Sequence, residues 1–113
     1  MNGAKVLVLG VAYKQDIDDY RESPAIRVIE QLKLRGAEVS YYDPYIAEYR
    51  EHGAVEKGLT ELTAETVKAA DLVMVTTAHT TVDYQMVADN ARLIFDTKNA
   101  MKHIQNRENL RVL

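Results

Sequence analysis

Short apolar runs, each closed by a turn-forming or polar residue, constrain this chain most. Lys5-Val6-Leu7-Val8-Leu9 is continuous and stops at Gly10. Glu38-Val39-Ser40-Tyr41-Tyr42 is broken by Asp43-Pro44, and Asp71-Leu72-Val73-Met74-Val75-Thr76-Thr77 and Arg92-Leu93-Ile94-Phe95-Asp96 follow. The first run is too short for a globular helix and reads as a strand buried on both faces, and the others read as further strands. Leu110-Arg111-Val112-Leu113 reads as a short further strand.

Helical patterns fall between these runs. Ser23-Pro24 opens the first, with serine as N-cap and proline where no amide hydrogen is needed. Ala25, Val28, Ile29 and Leu32 then make one apolar stripe, and Gly36 supplies the stop. Thr63 caps a second helix running to Ala70. A third spans Val82 to Ala91, with Tyr84, Val87, Ala88 and Ala91 on one side. Residues 45 to 62 are polar, contain Gly53 and Gly58, and read as irregular with a short helix near Ile46–His52. Strands alternating with helices predict an α/β fold: a doubly wound, mostly parallel sheet with helices on both faces and right-handed crossovers. The 113 residues make one domain, 1–113. Ligands of such sheets bind beyond the carboxyl ends of the strands. The segments after Leu9, Tyr42, Thr77 and Phe95 are therefore where chemistry is expected.

Composition removes several classes of function. With no cysteine, the chain offers no disulfide, thiolate metal site or cysteine nucleophile. The formal net charge is −3 with both signs interspersed, so neither a nucleic-acid face nor a membrane surface is expected. No stretch is apolar enough to span a bilayer, and Met1-Asn2-Gly3-Ala4 lacks a signal-peptide pattern, which predicts a cytoplasmic location.

The stretch Gly10-Val11-Ala12-Tyr13-Lys14-Gln15-Asp16-Ile17-Asp18-Asp19-Tyr20-Arg21-Glu22-Ser23 stands apart. It spans about thirteen residues between strand and helix, where ordinary connections take roughly two to six. A long loop at a ligand-binding edge is usually functional. It is not a dinucleotide fingerprint, because Gly10 stands alone and Ala12 and Gln15 occupy the other glycine positions. The pattern is Rossmann-like without a dinucleotide site of its own. Asp16, Asp18 and Asp19 lack the glycine and distal glutamate of a calcium loop, so they are read as orienting Arg21, Lys14 and the loop amides. Asp43, followed by proline, is read as a turn former. His79 is read as a structural hydrogen-bonding residue, and His52 and His103 have no metal pattern.

Gly-Val-Ala-Tyr-Lys-x-Asp-x-Asp-Asp-x-Arg-Glu-Ser-Pro-Ala, from Gly10 to Ala25, resembles the signature of the C-terminal domain of the UDP-glucose/GDP-mannose dehydrogenase family. Tyr41-Tyr42-Asp43-Pro44, Ala70-Asp71-Leu72-Val73 with Thr76-Thr77-Ala78-His79, and Asp96-Thr97-Lys98-Asn99 resemble later family patterns in the expected order. The family more usually has arginine where Lys98 stands. Asp-Ile-Asp-Asp-Tyr-Arg-Glu-Ser-Pro is most similar to enzymes acting on UDP-N-acetylhexosamines (UDP-GlcNAc or UDP-ManNAc).

The resemblance implies the UDP-sugar binding part of a larger NAD-dependent enzyme of polysaccharide biosynthesis, one that oxidises a sugar C6 hydroxyl to a carboxylate. NAD would be bound mainly by an N-terminal domain, and the catalytic cysteine would lie before this domain. The isolated chain is then expected to be inactive, with no catalytic residue and no metal. Its partners would be a UDP-sugar, its own N-terminal domain and other copies of the full-length enzyme. Tyr13 and Lys14 match the pair that contacts the donor's nucleotide; the alternative is a solvated lysine and a tyrosine wedged under the loop. Arg21 matches an arginine that reaches the cofactor pyrophosphate, and an intradomain salt bridge is compatible with that. Lys98 matches a basic residue near the substrate nucleotide, or is a surface lysine. Two other classes stay in view: a signalling receiver domain, which needs an acid at the end of its central strand, and a purely structural oligomerisation domain.

Overall fold

The computed structural model describes residues 3–11, 24–51, 54–77, 79, 82–96 and 110–112. The apolar runs form strands as expected: β1 (Lys5–Leu9), β2 (Glu38–Tyr42), β5 (Leu72–Val75), β6 (Ile94–Asp96) and β7 (Leu110–Val112). They make one sheet in the order β2-β1-β5-β6-β7, and every pairing in it is parallel. Between them come α1 (Pro24–Leu34), a β3 (Glu48–Glu51) and β4 (Ala54–Lys57) pair, α2 (Ala64–Ala69) and α3 (Tyr84–Asn90).

Side-chain alternation along β1 builds two cores. Val6 and Val8 point to one face, where they join Ala25, Ile26, Ile29 and Leu32 of α1. Leu7 and Leu9 point to the other, against Val67 of α2 and Val87 and Ala88 of α3. All four β1 side chains are buried. Burying each stabilises the fold by about 1.5–3 kcal/mol, which is why a continuous apolar run fits a central strand covered on both faces.

Helix ends follow local chemistry. After α1, Gly36 takes φ 88°, its N–H reaches the Lys33 carbonyl at 3.0 Å, and the Ala37 N–H reaches the Leu32 carbonyl at 3.0 Å. This is the paired closure of a Schellman stop, and Leu32 and Ala37 bury together beside it. The Thr63 side chain accepts from the Thr66 N–H, and the Thr66 side chain answers on the Thr63 backbone, so α2 starts with a reciprocal capping box. Asp83 caps α3 by accepting from the Met86 N–H at 3.1 Å.

The expected helix near Ile46–His52 is not what forms. That stretch contributes β3, which pairs antiparallel with β4. Tyr49 is buried and sets its ring 5.4 Å from that of Tyr41, while its neighbours Glu48 and Arg50 face solvent. One inward aromatic between charged neighbours has the period of a strand. Gly58 then lets the chain pass under Tyr41, since a Cβ there would lie 2.6 Å from the ring. Its N–H bonds to the Ala47 carbonyl, and the Leu59 N–H bonds to the Tyr41 carbonyl at 2.8 Å. No helix among the described residues is long and apolar enough to cross a membrane.

Candidate functional site

Leu9, Tyr42, Val75, Asp96 and Val112 lie in one lateral row across the sheet. The chain therefore leaves all five strands at the same edge. Strand order reverses between β1 and β5, the point where open α/β sheets form their ligand crevice. Neighbouring strands lie about 4.8 Å apart, so the exits from β1 and β6, with β5 between them, are about 10 Å apart.

At the β1 exit, Gly10 adopts φ 92° and donates its N–H to the Tyr42 carbonyl at 2.9 Å. A Cβ at Gly10 would lie 2.5 Å from the Thr77 Cβ and carbonyl oxygen. Thr76 Oγ1 donates to the Gly10 carbonyl, and the Thr76 N–H reaches the Leu9 carbonyl at 3.0 Å. Glycine is required here by backbone conformation and by the close approach of the β5 exit together.

Asp43 follows β2 and is buried. Oδ1 accepts from the N–H groups of Tyr45 at 2.8 Å and Ile46 at 3.2 Å, the local turn expected from Asp-Pro. Oδ2 accepts from the Val11 N–H at 2.8 Å and lies 2.8 Å from His79 Nε2. A carboxylate acts only as acceptor, so Nε2 is the donor. His79 is fully buried; its ring packs 4.8 Å from Tyr45, and its carbonyl accepts from Tyr84 Oη at 2.9 Å. The structural role expected for His79 is what the geometry gives. With at least four donors among the described residues on its two oxygens and a buried side chain, Asp43 is not placed to receive a ribose. Among the described residues, the engaged Asp43 and the tight Gly10–Thr77 contact do not form the ribose and pyrophosphate cradle of a dinucleotide site.

Two other polar groups near the rim are buried. Asp96, at the end of β6, is fully buried. The Tyr41 hydroxyl donates to the Ile46 carbonyl at 3.2 Å. Burial, reinforced by the neighbouring Tyr49 phenol and Asp43 carboxylate, pushes the Tyr41 phenol well above the usual tyrosine range. The pairing of Asp43 with His79, 36 positions away, has no signal in residue spacing.

Tyr13, Lys14, Arg21 and Lys98 lie outside the described residues, as do Asp16, Asp18, Asp19, His52 and His103. Their attachment points are described: Val11 and Pro24 bracket the first group, and Asp96 immediately precedes the segment bearing Lys98. Among the described residues no group of three or more histidines and acids is placed to hold a metal ion.

A family model described as the UDP-glucose/GDP-mannose dehydrogenase family, UDP binding domain, matches residues 7–103. The chain belongs to this family. Its match to the UDP-N-acetyl-D-mannosamine dehydrogenase of Methanococcus maripaludis is 34% identical over 107 residues, 88% of this chain and 23% of that protein. The enzyme of the same name from Methanocaldococcus jannaschii is 35% identical over 112 residues, 92% of this chain and 24% of the relative. Among solved structures, the UDP-D-ManNAc dehydrogenase of Pyrococcus horikoshii matches with a TM-score of 0.74 and 28% identity, covering 98% of this chain and 25% of that one. The UDP-N-acetyl-mannosamine dehydrogenase of Staphylococcus aureus matches with a TM-score of 0.71 and 30% identity, covering 99% of this chain and 27% of its own. The chain thus spans about a quarter of the length of these family members.

Proposed function

We propose that residues 1–113 form one domain, the UDP-binding C-terminal unit of an NAD-dependent nucleotide-sugar 6-dehydrogenase, working in the cytoplasm. The observation that carries this reading is the shared rim. The segment bearing Tyr13, Lys14 and Arg21 and the segment bearing Lys98 leave the sheet from the same edge, about 10 Å apart across the switch point. That spacing suits two arms meeting on one nucleotide. Tyr13 offers an aromatic face to a base or ribose, and Lys14 and Lys98 offer ammonium donors to carbonyl or phosphate oxygens. Arg21 has the fork that suits a pyrophosphate held across a cleft by another domain.

NAD supplies the hydride acceptor in this reaction class, and the saturated Asp43 argues that its main site is on another domain. With no cysteine in the chain, the nucleophile must also come from outside it. The domain alone therefore binds and orients the donor but does not oxidise it. Self-association belongs to the full-length enzyme. A phosphorelay role finds no support at the end of β5, where Thr76 and Thr77 stand in place of an acid.

Titration of the isotope-labelled chain with UDP, followed by backbone amide signals, tests the proposal. Shifts are expected for residues 11–21 and around Lys98, with NAD alone having little effect. Shifts confined to the opposite edge, around Ala4, Ala37 and Asp71, would overturn it.

A further inference from the structure

We infer that Asp43 is a positioning residue for nucleotide binding, acting through the Val11 amide, with His79 as its second anchor. The inference rests on the UDP-binding reading above and adds to it a residue that touches no ligand.

A turn former needs donors only from its own turn, and the Tyr45 and Ile46 amides meet that need on Oδ1. The second oxygen does something else. It takes one donor from the chain leaving β1 and one from the connection after β5, at sequence separations of 32 and 36. A buried carboxylate is costly unless its oxygens are satisfied, so these bonds are requirements of the fold and not incidental contacts.

Val11 is the last described residue before Ala12, Tyr13 and Lys14. Its side chain is buried and its N–H is fixed on Asp43, so the Tyr13–Lys14 stretch follows in the chain from an anchored residue. Gly10 is immobilised from both sides, by the Tyr42 carbonyl and by Thr77. His79 in turn is held by the Tyr45 ring and by Tyr84 Oη from α3. A continuous path thus runs from α3 through Tyr84, His79 and Asp43 to Val11. It ties the base of the Tyr13–Lys14 segment to the helix layer behind β5.

Asp43→Asn separates this role from turn formation. Asparagine keeps an acceptor for Tyr45 and Ile46, and it is as good a turn residue. Its NH2 group replaces Oδ2, and His79 adapts by shifting its ring proton to Nδ1. The Val11 N–H then faces a donor and loses its acceptor. Three measurements on the full chain decide the matter: the melting temperature, hydrogen exchange at the Val11 amide, and UDP affinity by calorimetry.

The inference predicts a folded D43N variant whose Val11 amide exchanges faster and whose UDP affinity falls about tenfold, the scale of one lost bond to a charged group. A folded variant with fast Val11 exchange and unaltered UDP affinity overturns the positioning role while leaving the UDP reading intact. Failure of the unaltered chain to bind UDP overturns both. If D43N does not fold, His79→Gln and His79→Leu replace it. Glutamine retains a donor toward Asp43, so it should weaken UDP binding less than leucine does; equal affinities in the two overturn the inference.

Discussion

Replacing Gly10 by alanine tests the rim geometry most directly, because two separate costs meet at that residue. The first is conformational. Gly10 sits at φ 92°, in the left-handed region, where an L side chain costs about 1–2 kcal/mol. The second is steric. The added Cβ would lie 2.5 Å from both the Cβ and the carbonyl oxygen of Thr77 and 2.9 Å from its nitrogen. Thr77 cannot easily yield, since it is buried and its N–H is engaged on the Leu9 carbonyl. Forced overpacking of this kind adds about 1–3 kcal/mol, for a total of about 2–5 kcal/mol. In a domain of this size, 1 kcal/mol moves the melting midpoint by about 4 °C, so Gly10→Ala should lower it by roughly 8–20 °C. Gly3 provides the control. It has φ 79° but nothing within 4 Å of an added Cβ, so Gly3→Ala carries the conformational cost alone. Urea titrations of the three proteins, followed by far-ultraviolet circular dichroism, give the comparison. Equal losses for the two variants would refute the claim that the β1 and β5 exits are in obligatory contact.

Two further outcomes are expected. The buried Tyr41 phenol holds its proton in the folded state, while in the unfolded chain it ionises near pH 10. Below that pH neither state ionises, and above it only the unfolded state does, so stability should fall as pH rises past about 10. Tyr41→Phe should cost about 0.5–1.5 kcal/mol at neutral pH through the lost bond to Ile46 and should flatten the alkaline decline; parallel pH profiles for the two proteins would contradict this. Thr63→Ala removes the capping box of α2 and should destabilise by about 1 kcal/mol in chemical denaturation, whereas a loss under about 0.3 kcal/mol would mean that packing through Val67 alone holds the helix.

The inner strands of the parallel sheet were legible in the sequence because both their faces are covered, whereas border strand β2 keeps Glu38 and Ser40 exposed. Burial on both faces leaves unbroken runs such as Val6–Leu9 and Leu72–Val75, and these need no partner to be recognised. The predicted strands at 71–77 and 92–96 ran longer than those observed, since Thr76 and Thr77 turn to hold the Gly10 exit and Leu93 precedes the paired register. The β3–β4 hairpin was not legible. In Glu48-Tyr49-Arg50-Glu51 only one residue is apolar, and what makes the segment a strand is Tyr49 meeting Tyr41 in the folded chain. The site divides in the same way. The stretch from Gly10 to Pro24 announced itself by length and residue order, because a recognition segment carries its chemistry locally. The support beneath it did not, because the Asp43 to His79 bond exists only once parallel pairing brings the β2 and β5 exits to either side of β1. Asp43 read alone is a turn residue and His79 read alone is a polar loop residue; both descriptions are correct and neither foresees the pair.

The crossing of Leu59 over β2 has a consequence for association. β2 is an outer strand, and an open border with free amides and carbonyls invites a strand from another molecule. Glu38 and Tyr42 direct their backbone groups inward to Ala4 and Gly10, so those of Tyr41 point outward, and its carbonyl is already taken by the Leu59 amide. Together with the Tyr49 ring packed on Tyr41, this closes the carboxyl half of the border to a neighbouring chain. Ribbon-like growth of the sheet is blocked there by the protein's own connection, without a proline or a lysine placed on the strand.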